Sequence, residues 1–261
     1  MPTEPTQSEL VEARNSRLAQ HRTVSNSEMD ARNIIKVEQL RQMALKELNS
    51  YFFIEFSQKK FTHIFSAYHP YLMHPTIKVD DQKNMSQMNL RAHPDTVHFN
   101  LESDIMFYDL LMAQRFEQRR NFVSVTLRCI KDEEGKYHVW LFTTSVNECD
   151  VVGTPCSLIV KGERMDLFSA DKFHPYRQFY LANETNPDKP ILLESDNKHV
   201  LTGKELKVLE MSIAKRTIKE IAKELGVESC TIKSHRKQVM LKLNAPTFSL
   251  ACMMAQRLKI V

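Results

Sequence analysis

The side chains most suited to chemistry lie in one short run, TIKSHRKQ, at residues 231–238. Residues of a helix advance by about 100° each, which would place Lys233, Ser234 and Lys237 on one side. That side carries cations and small polar groups but no acid, whereas a surface that serves only solubility usually mixes both signs. Lysine and serine donors without an acid beside them suit phosphate oxygens and the acceptor atoms of guanine.

The opposite side of the same predicted helix is apolar. Ile232, His235, Val239 and Leu243 share it and are expected to pack against the preceding helices. We interpret His235 as a hydrogen-bonded core residue and not as a residue that reads bases. The run is therefore expected to be a helix with a buried side and a cationic outer side.

A helix-start signal occurs twice before this run and predicts where the neighbouring helices begin. Thr202 is followed by Glu205, and Thr217 by Glu220, a spacing typical of capping boxes. Their separation predicts short helices over 203–214 and 218–225, then a turn at Gly226 and a third helix over 229–243. Pro246 ends that helix, and Thr247 can cap a fourth helix that reaches about Leu258. Two short helices joined by a tight turn are typical of a helix-turn-helix.

Charge is distributed unevenly along the chain. Residues 201–261 hold 12 Lys and Arg against 5 Asp and Glu, a net charge of +7, whereas the rest of the chain carries a net charge of −3. A basic module attached to a mildly acidic body favours a polyanion as partner. A solvated, lysine-rich helical surface is the alternative that charge alone leaves open.

The stretch LTGKELKVLEM…TIKEIAKELGVESCTIKSHRKQVMLKLNA resembles the LuxR-type helix-turn-helix of bacterial transcription factors. The resemblance covers residues 201–261 and rests on LTxxE, on KEIA with a Gly four residues later, on T-I-K-x-H, and on the KL that precedes the last turn. It implies base-facing roles for three residues, Lys233, Ser234 and Lys237. It implies phosphate contacts for three more, Thr231, Lys219 and Arg236.

The same resemblance implies partners. They are double-stranded DNA, a second copy of the chain that pairs through the fourth helix at residues 248–258, and RNA polymerase. The chain departs from the family at Lys215, where a Gly is usual after the first helix, so that turn is expected to be strained or rebuilt. Lys207 replaces a common Glu, and Asn244-Ala245-Pro246 replaces a Gly-Val turn.

The N-terminal segment, residues 1–48, is expected to be helical, with a break at Ser25-Asn26-Ser27. Four residues form a sparse apolar stripe on the second helix, namely Ile34, Val37, Ala44 and Leu48. Two interpretations are open: the helix forms a short coiled coil, or it packs on the next domain.

Residues 49–167 alternate in the manner of strands. YFFIEF (51–56) and FTHIFS (61–66) predict a hairpin, and a helix is expected from Asp95 to about Phe116. Three antiparallel strands follow at 122–130, 137–146 and 156–162. Gly135 supplies a positive φ in the turn between the first two.

The expected fold class is therefore an α+β domain, an antiparallel sheet with flanking helices, followed by an all-α four-helix domain. Its strand order resembles the PAS fold over about residues 45–167, and such domains precede LuxR-type readers in bacteria. Residues 168–200 are expected to be a connector, and residues 201–261 the DNA-binding domain.

PAS folds can hold a cofactor, but no residue is singled out for one here. Haem would need an axial histidine, and nothing distinguishes among the candidates His63, His69, His74, His98 and His138. A flavin–cysteine motif is absent. No cofactor or metal is therefore expected, and three interpretations of the domain stay open: an empty pocket, an unknown small-molecule ligand, or subunit pairing alone.

Several classes of function are disfavoured by the sequence. It has no apolar run long enough to cross a membrane and no signal peptide, so we expect a cytoplasmic protein. Its five cysteines lack a CxxC spacing. It has no Gly-rich phosphate loop, HExxH or GxSxG, so the only catalytic alternative is a grouping such as Cys149, His138 and Asp150. A protein–protein adaptor that binds acidic partners is the remaining alternative to DNA binding.

Overall fold

The computed structural model describes residues 5–20, 27–47, 49–55, 60–66, 91–132, 134–166, 170, 175–183, 190–195, 201–243, 245–258 and 260–261. The chain divides into two compact units. The sheet unit comprises residues 1–170 and 175–194, and the helical unit comprises residues 171–174 and 195–261. Of the described residues, none lies in a helix long and apolar enough to cross a bilayer.

The sheet unit is built on a seven-stranded sheet with the order β2-β1-β5-β4-β3-β6-β7. Its strands are β1 (Ser50–Glu55), β2 (Lys60–Ser66), β3 (Phe122–Lys131), β4 (Tyr137–Cys149), β5 (Pro155–Arg164), β6 (Tyr176–Leu181) and β7 (Ile191–Ser195). The first five strands pair antiparallel, in the strand order of a PAS domain. The predicted fold class is confirmed, including the positive φ of 85° at Gly135 in the β3–β4 turn.

The expected connector at 168–200 is wrong for part of its length, because β6 and β7 extend the sheet beyond β3. β6 pairs antiparallel with β3 from Phe122↔Leu181 to Leu127↔Tyr176. Without it, β3 would be an edge strand with unpaired backbone groups. Tyr176 and Phe179 of this segment are buried. The prolines and asparagines of this segment are typical of loops, so the sequence did not indicate the two strands.

Among the residues that the structure describes, three helices accompany the sheet: α1 (Gln7–Gln20), α2 (Ser27–Glu47) and α3 (Val97–Ala113), with short 3-10 turns at Pro94–Thr96 and Phe116–Asn121. α2 packs on one face of the sheet, where Leu40 and Ala44 contact Tyr51 and Phe53. α3 packs on the other face, where Phe107 and Leu111 join Phe122 and Phe179. Because adjacent strand residues point to opposite faces, Phe52 and Phe53 serve different sides of the sheet.

The predicted apolar stripe of α2 is only partly correct. Ala44 is buried and Val37 half-buried against the sheet, but Ile34 is 71 % exposed. The buried row follows Asn33 and Leu40 instead, about 100° away from Ile34 on the helix. Leu48 lies outside the described residues.

The described part of the helical unit forms four helices: α4 (Gly203–Ile213), α5 (Ile218–Leu225), α6 (Ser229–Lys242) and α7 (Phe248–Arg257). Each lies within one residue of its predicted bounds, because local signals set the ends. Thr202 and Thr217 both complete the predicted capping boxes with the glutamates three residues on. Gly226 ends α5 in the left-handed conformation at φ 63°.

Candidate nucleic-acid interface and ligand cavity

Helix α6 is held in place by its apolar side. Ile232 and Val239 are fully buried, and Leu243 is 7 % exposed. Ile232 joins a core with four residues of α4 and α5, namely Val208, Met211, Ile221 and Ala222. His235 lies at the margin of this side and is half-buried. The core fixes the rotation of α6 and therefore decides which of its residues face outward.

The outer side of α6 is the cationic surface that the sequence predicted. Lys233, Ser234 and Lys237 are all exposed, and so are the neighbouring Cys230 and Leu241. No acidic residue stands in the first turn of the helix. The structure brings the three proposed base-facing residues together on one accessible surface, which we call the outer face of α6.

The three residues implied as phosphate contacts occupy different positions. Lys219 is exposed in the first turn of α5, and Thr231 is half-buried in the first turn of α6. Arg236 is drawn inward: its Nη2 donates to Ser212 Oγ at 2.9 Å, and its guanidinium carbon lies 4.4 Å from the centre of the Phe248 ring. This geometry favours a structural role for Arg236, since its charge joins α6 to α4 and α7.

An ion pair that sequence reasoning missed closes the helical unit. Lys242 Nζ donates to Glu205 Oε2 at 2.7 Å, linking the end of α6 to the start of α4. The carboxylate also accepts from the Thr202 backbone N–H at 2.6 Å. Burial by itself would raise the pKa of Glu205, but these hydrogen bonds outweigh it and hold the pKa below its ordinary value. The partners are 37 residues apart, so no local spacing signals the pair.

The sheet unit encloses a second candidate site, a cavity of about 90 Å³ between α3 and the sheet. This volume is several times the roughly 10–15 Å³ that one water molecule needs. Its apolar lining comes from four elements and consists of Phe52, Ile54, Phe107, Phe142, Leu158 and Val160. The cavity therefore suits a compact and largely apolar molecule.

One end of the cavity is polar. β3 contributes Ser124, Thr126 and Arg128, which alternate onto the same face of the sheet. Arg128 Nη2 lies 2.5 Å from Asp104 Oδ1 on α3. Burial raises the pKa of the neighbouring Tyr108, so its phenol is neutral and can donate a hydrogen bond.

The catalytic alternative is not assembled. Cys149 and His138 lie near opposite ends of β4, which at roughly 3.3 Å per residue separates them by about 35 Å. Burial raises the pKa of the Cys149 thiol, which disfavours the thiolate. His138 Nε2 lies 2.8 Å from Asp132 Oδ2 at the β3–β4 turn.

Of the other histidines considered for haem, one has a defined contact and two lie outside the described residues. His98 Nε2 contacts the Pro5 carbonyl oxygen at 3.0 Å. His69 and His74 lie outside the described residues. Within the described part of the chain, no group of three or more His, Cys, Asp or Glu residues is placed to hold a metal ion.

Comparison with known proteins places the helical unit in a family. A sequence profile described as "Bacterial regulatory proteins, luxR family" matches residues 199–255. No curated protein sequence matches the chain.

Three similar solved structures are those of VqmA proteins. A Vibrio cholerae VqmA–ligand–DNA complex is 13 % identical and has a TM-score of 0.31, with 84 % of this chain and 86 % of that chain covered. A V. cholerae VqmA dimer without target DNA gives the same identity and TM-score, with 84 % and 87 % covered. A phage VqmA–DPO complex is 14 % identical with a TM-score of 0.32, over 87 % and 89 % of the two chains.

The profile covers the helices whose capping boxes, turn and outer face were predicted from the sequence. It confirms the resemblance on which the helix-turn-helix prediction rested. The chain thus carries, at residues 199–255, a domain that matches the luxR family of bacterial regulatory proteins.

Proposed function

We propose that the chain is a cytosolic transcriptional regulator that binds inverted-repeat DNA as a homodimer, under the control of its PAS-like sheet unit. The observation that carries the proposal is the outer face of α6. It presents Lys233, Ser234 and Lys237 to solvent while Ile232 and Val239 anchor the opposite side in the core. A helix mounted in this way can enter the major groove, about 12 Å wide, with donors directed at base edges.

The two kinds of contact have different consequences. Lys233, Ser234 and Lys237 are assigned to base edges, where hydrogen bonds discriminate between sequences. Lys219 and Thr231 are assigned to the phosphates that flank the groove. Phosphate contacts release counterions, so binding should weaken steeply as salt rises.

Two surfaces are suited to pairing the subunits. In the helical unit, Met253 is exposed on α7. In the sheet unit, two rows of α2 side chains face away from the sheet. They are Ile35–Gln39–Met43 and Ile34–Glu38–Gln42. Rows at a spacing of four residues are the ridges by which helices pack. Since a two-fold dimer uses the same patch on both subunits, a second copy of α2 fits this surface.

Control by the sheet unit is assigned to the cavity between α3 and the sheet. Its apolar lining and polar end are the features of a small-molecule site. A ligand that prefers one arrangement of the dimer would shift its affinity for DNA.

Selection of bound duplexes from a random pool by the full-length chain tests the DNA-binding proposal. The expected product is an inverted repeat whose binding falls steeply with salt. Recovery of no preferred sequence, or binding that does not change with salt, would contradict it. Under the adaptor alternative, the protein would not prefer any DNA sequence. Acidic peptides would then displace every duplex equally well.

Assembly is tested with two full-length variants by sedimentation. Ile35→Glu places a charge on the exposed face of α2, and Met253→Glu does the same on α7. The variant that yields monomers identifies the dominant dimer surface. Monomeric wild-type protein at concentrations that saturate the selected site would overturn the homodimer.

A further inference from the structure

α1 lies along α3 in a parallel register that three pairs of residues define. The Pro5 carbonyl oxygen is 3.0 Å from His98 Nε2, and further along, Arg17 forms a two-point pair with Asp109 at 3.0 and 3.2 Å. Between these, Leu10 packs in a cluster with Leu101 of α3. The N-terminal helix is therefore docked on the helix that forms one wall of the cavity.

Arg14 projects from α1 into the polar end of that cavity. It is only 3 % exposed and is one of the residues that line the space. Its Nη1 is 4.0 Å from Asp104 Oδ2, and its Nη2 reaches Asn15 Oδ1 at 3.4 Å. Its Nε is buried and has no hydrogen-bond partner among the described residues. A buried donor without an acceptor costs free energy, and native proteins contain few such groups.

The charge around Arg14 is not balanced by the cavity wall. Of the residues that line the cavity, Arg14 and Arg128 are cationic and Asp104 is anionic. Asp104 lies much nearer to Arg128, at 2.5 Å, than to Arg14. The charge of Arg14 is therefore the less compensated of the two, and it adjoins open space.

We propose that Arg14 recognises an acceptor oxygen, a carbonyl or a carboxylate, on a compact apolar ligand in this cavity, and that the bound ligand holds α1 on α3. The inference rests on the proposed role of the cavity as a ligand site, and it adds the chemical class of the ligand and the element that responds. The acceptor satisfies Nε, while the apolar part of the ligand contacts the lining of the sheet.

A ligand bound to Arg14 should stabilise the docked α1, because Arg14 belongs to that helix. A ligand that contacts both the sheet and Arg14 has more contacts when α1 is docked than when it is released. It must therefore favour the docked state by that difference in affinity. The exposed Arg17–Asp109 pair also joins α1 to α3, but it lies outside the cavity lining and should not respond to a ligand.

Hydrogen exchange of α1 in the full-length protein tests the proposal with three probes. Benzoate carries a carboxylate on a small ring, benzamide carries a neutral carbonyl, and toluene carries no acceptor. We expect benzoate and benzamide, each titrated to its solubility limit, to slow exchange of the α1 amides, and toluene to leave them unchanged. A larger effect of benzoate would identify an anionic acceptor, and equal effects a neutral one.

Two variants supply the controls. Arg14→Gln should weaken probe binding by about 10- to 100-fold, the usual effect of losing a hydrogen bond to a charged group, and should abolish the protection of α1. Arg17→Gln removes the comparable pair outside the cavity. It should speed exchange of α1 without a probe but keep the added protection when benzoate or benzamide is present.

Each outcome decides the inference. Equal protection by toluene, or protection that persists in Arg14→Gln, would overturn it while leaving the cavity as a ligand site. Failure of all three probes to bind would overturn both the inference and the assignment of the cavity. DNA binding, measured in the same samples with the selected duplex, reports separately on the regulator itself.

Discussion

Lys242 and Glu205, 37 residues apart in the chain, join the last turn of α6 to the first turn of α4 through a contact of 2.7 Å. The glutamate is 4 % exposed and also completes the capping box of α4. One carboxylate thus fixes both the start of a helix and the far end of the helix that carries the outer face.

Glu205→Gln should destabilise the helical unit by about 2 kcal/mol, since the charged hydrogen bond to Lys242 is lost. The pKa of Glu205 is lowered in the folded state, so its contribution is complete above the unfolded-state value near 4.5 and is lost as the pH falls through the folded-state value. Urea denaturation of residues 195–261 over a series of pH values below 7 should show the difference between wild type and variant shrink as the pH falls through the folded-state pKa. Glu210→Gln, an exposed position on the same helix, is the control and should change little.

Lys215→Gly should stabilise the helical unit by about 1 kcal/mol. Lys215 has a φ of 61°, a left-handed conformation in which a side chain is strained and glycine is not. The position follows the end of α4, and its N–H donates to the Ser212 carbonyl at 2.9 Å. The urea midpoint provides the measurement. Lys215→Ala removes the charge but keeps Cβ, so an equal gain in that variant would show that charge and not backbone strain was relieved.

Lys237→Ala should reduce affinity for the selected duplex by about 1–3 kcal/mol and relax the base preference at one position of each half-site. Lys219→Ala is the matched variant, because it removes the same charge from a position assigned to phosphate. It should weaken binding to all sequences alike and reduce the slope of log affinity against log salt by about 0.9. Quantitative footprinting at several salt concentrations separates the two. Identical losses on specific and random DNA in both variants would remove Lys237 from the base contacts.

Arg236→Lys should destabilise the helical unit by about 1–2 kcal/mol while leaving the salt dependence of DNA binding unchanged. Lysine keeps the charge but cannot lie flat over Phe248 while donating to Ser212 as the guanidinium does. Thermal unfolding and the salt slope are measured on the same preparation. If stability were unaffected and the salt slope fell, Arg236 would instead belong to the phosphate contacts.

Gly153→Ala should destabilise the sheet unit by more than about 2 kcal/mol. Gly153 has a φ of 80°, and a Cβ there would lie 2.4 Å from Cδ2 of Phe116. Gly135 has a similar φ of 85° in another hairpin turn, but a Cβ there would meet nothing within 4 Å. Gly135→Ala should therefore cost only the backbone strain, about 1 kcal/mol. Fluorescence of Trp140, which is buried in β4, follows the unfolding of this unit.

The sheet unit shows where prediction from the sequence reached its limit. The alternation around Gly135 predicted β3 and β4 because a side chain every second residue is a local signal. β6 gave no such clear signal, and its place beside β3 depends on an open sheet edge formed by residues 49 to 59 positions earlier. The exposure of Ile34 on α2 was missed for the same reason, since the neighbouring sheet decides which side of a helix is covered.

In the helical unit, the sequence by itself determined the helix ends and the outer face of α6. Capping boxes span three residues and helical faces repeat every three or four, so both can be read from neighbouring positions. Only the tertiary structure decided that Arg236 points inward, that Lys242 meets Glu205 and that Arg14 lines a cavity with Arg128. These relationships join residues from 24 to more than 100 positions apart, and they exist only once packing has brought the helices and strands together.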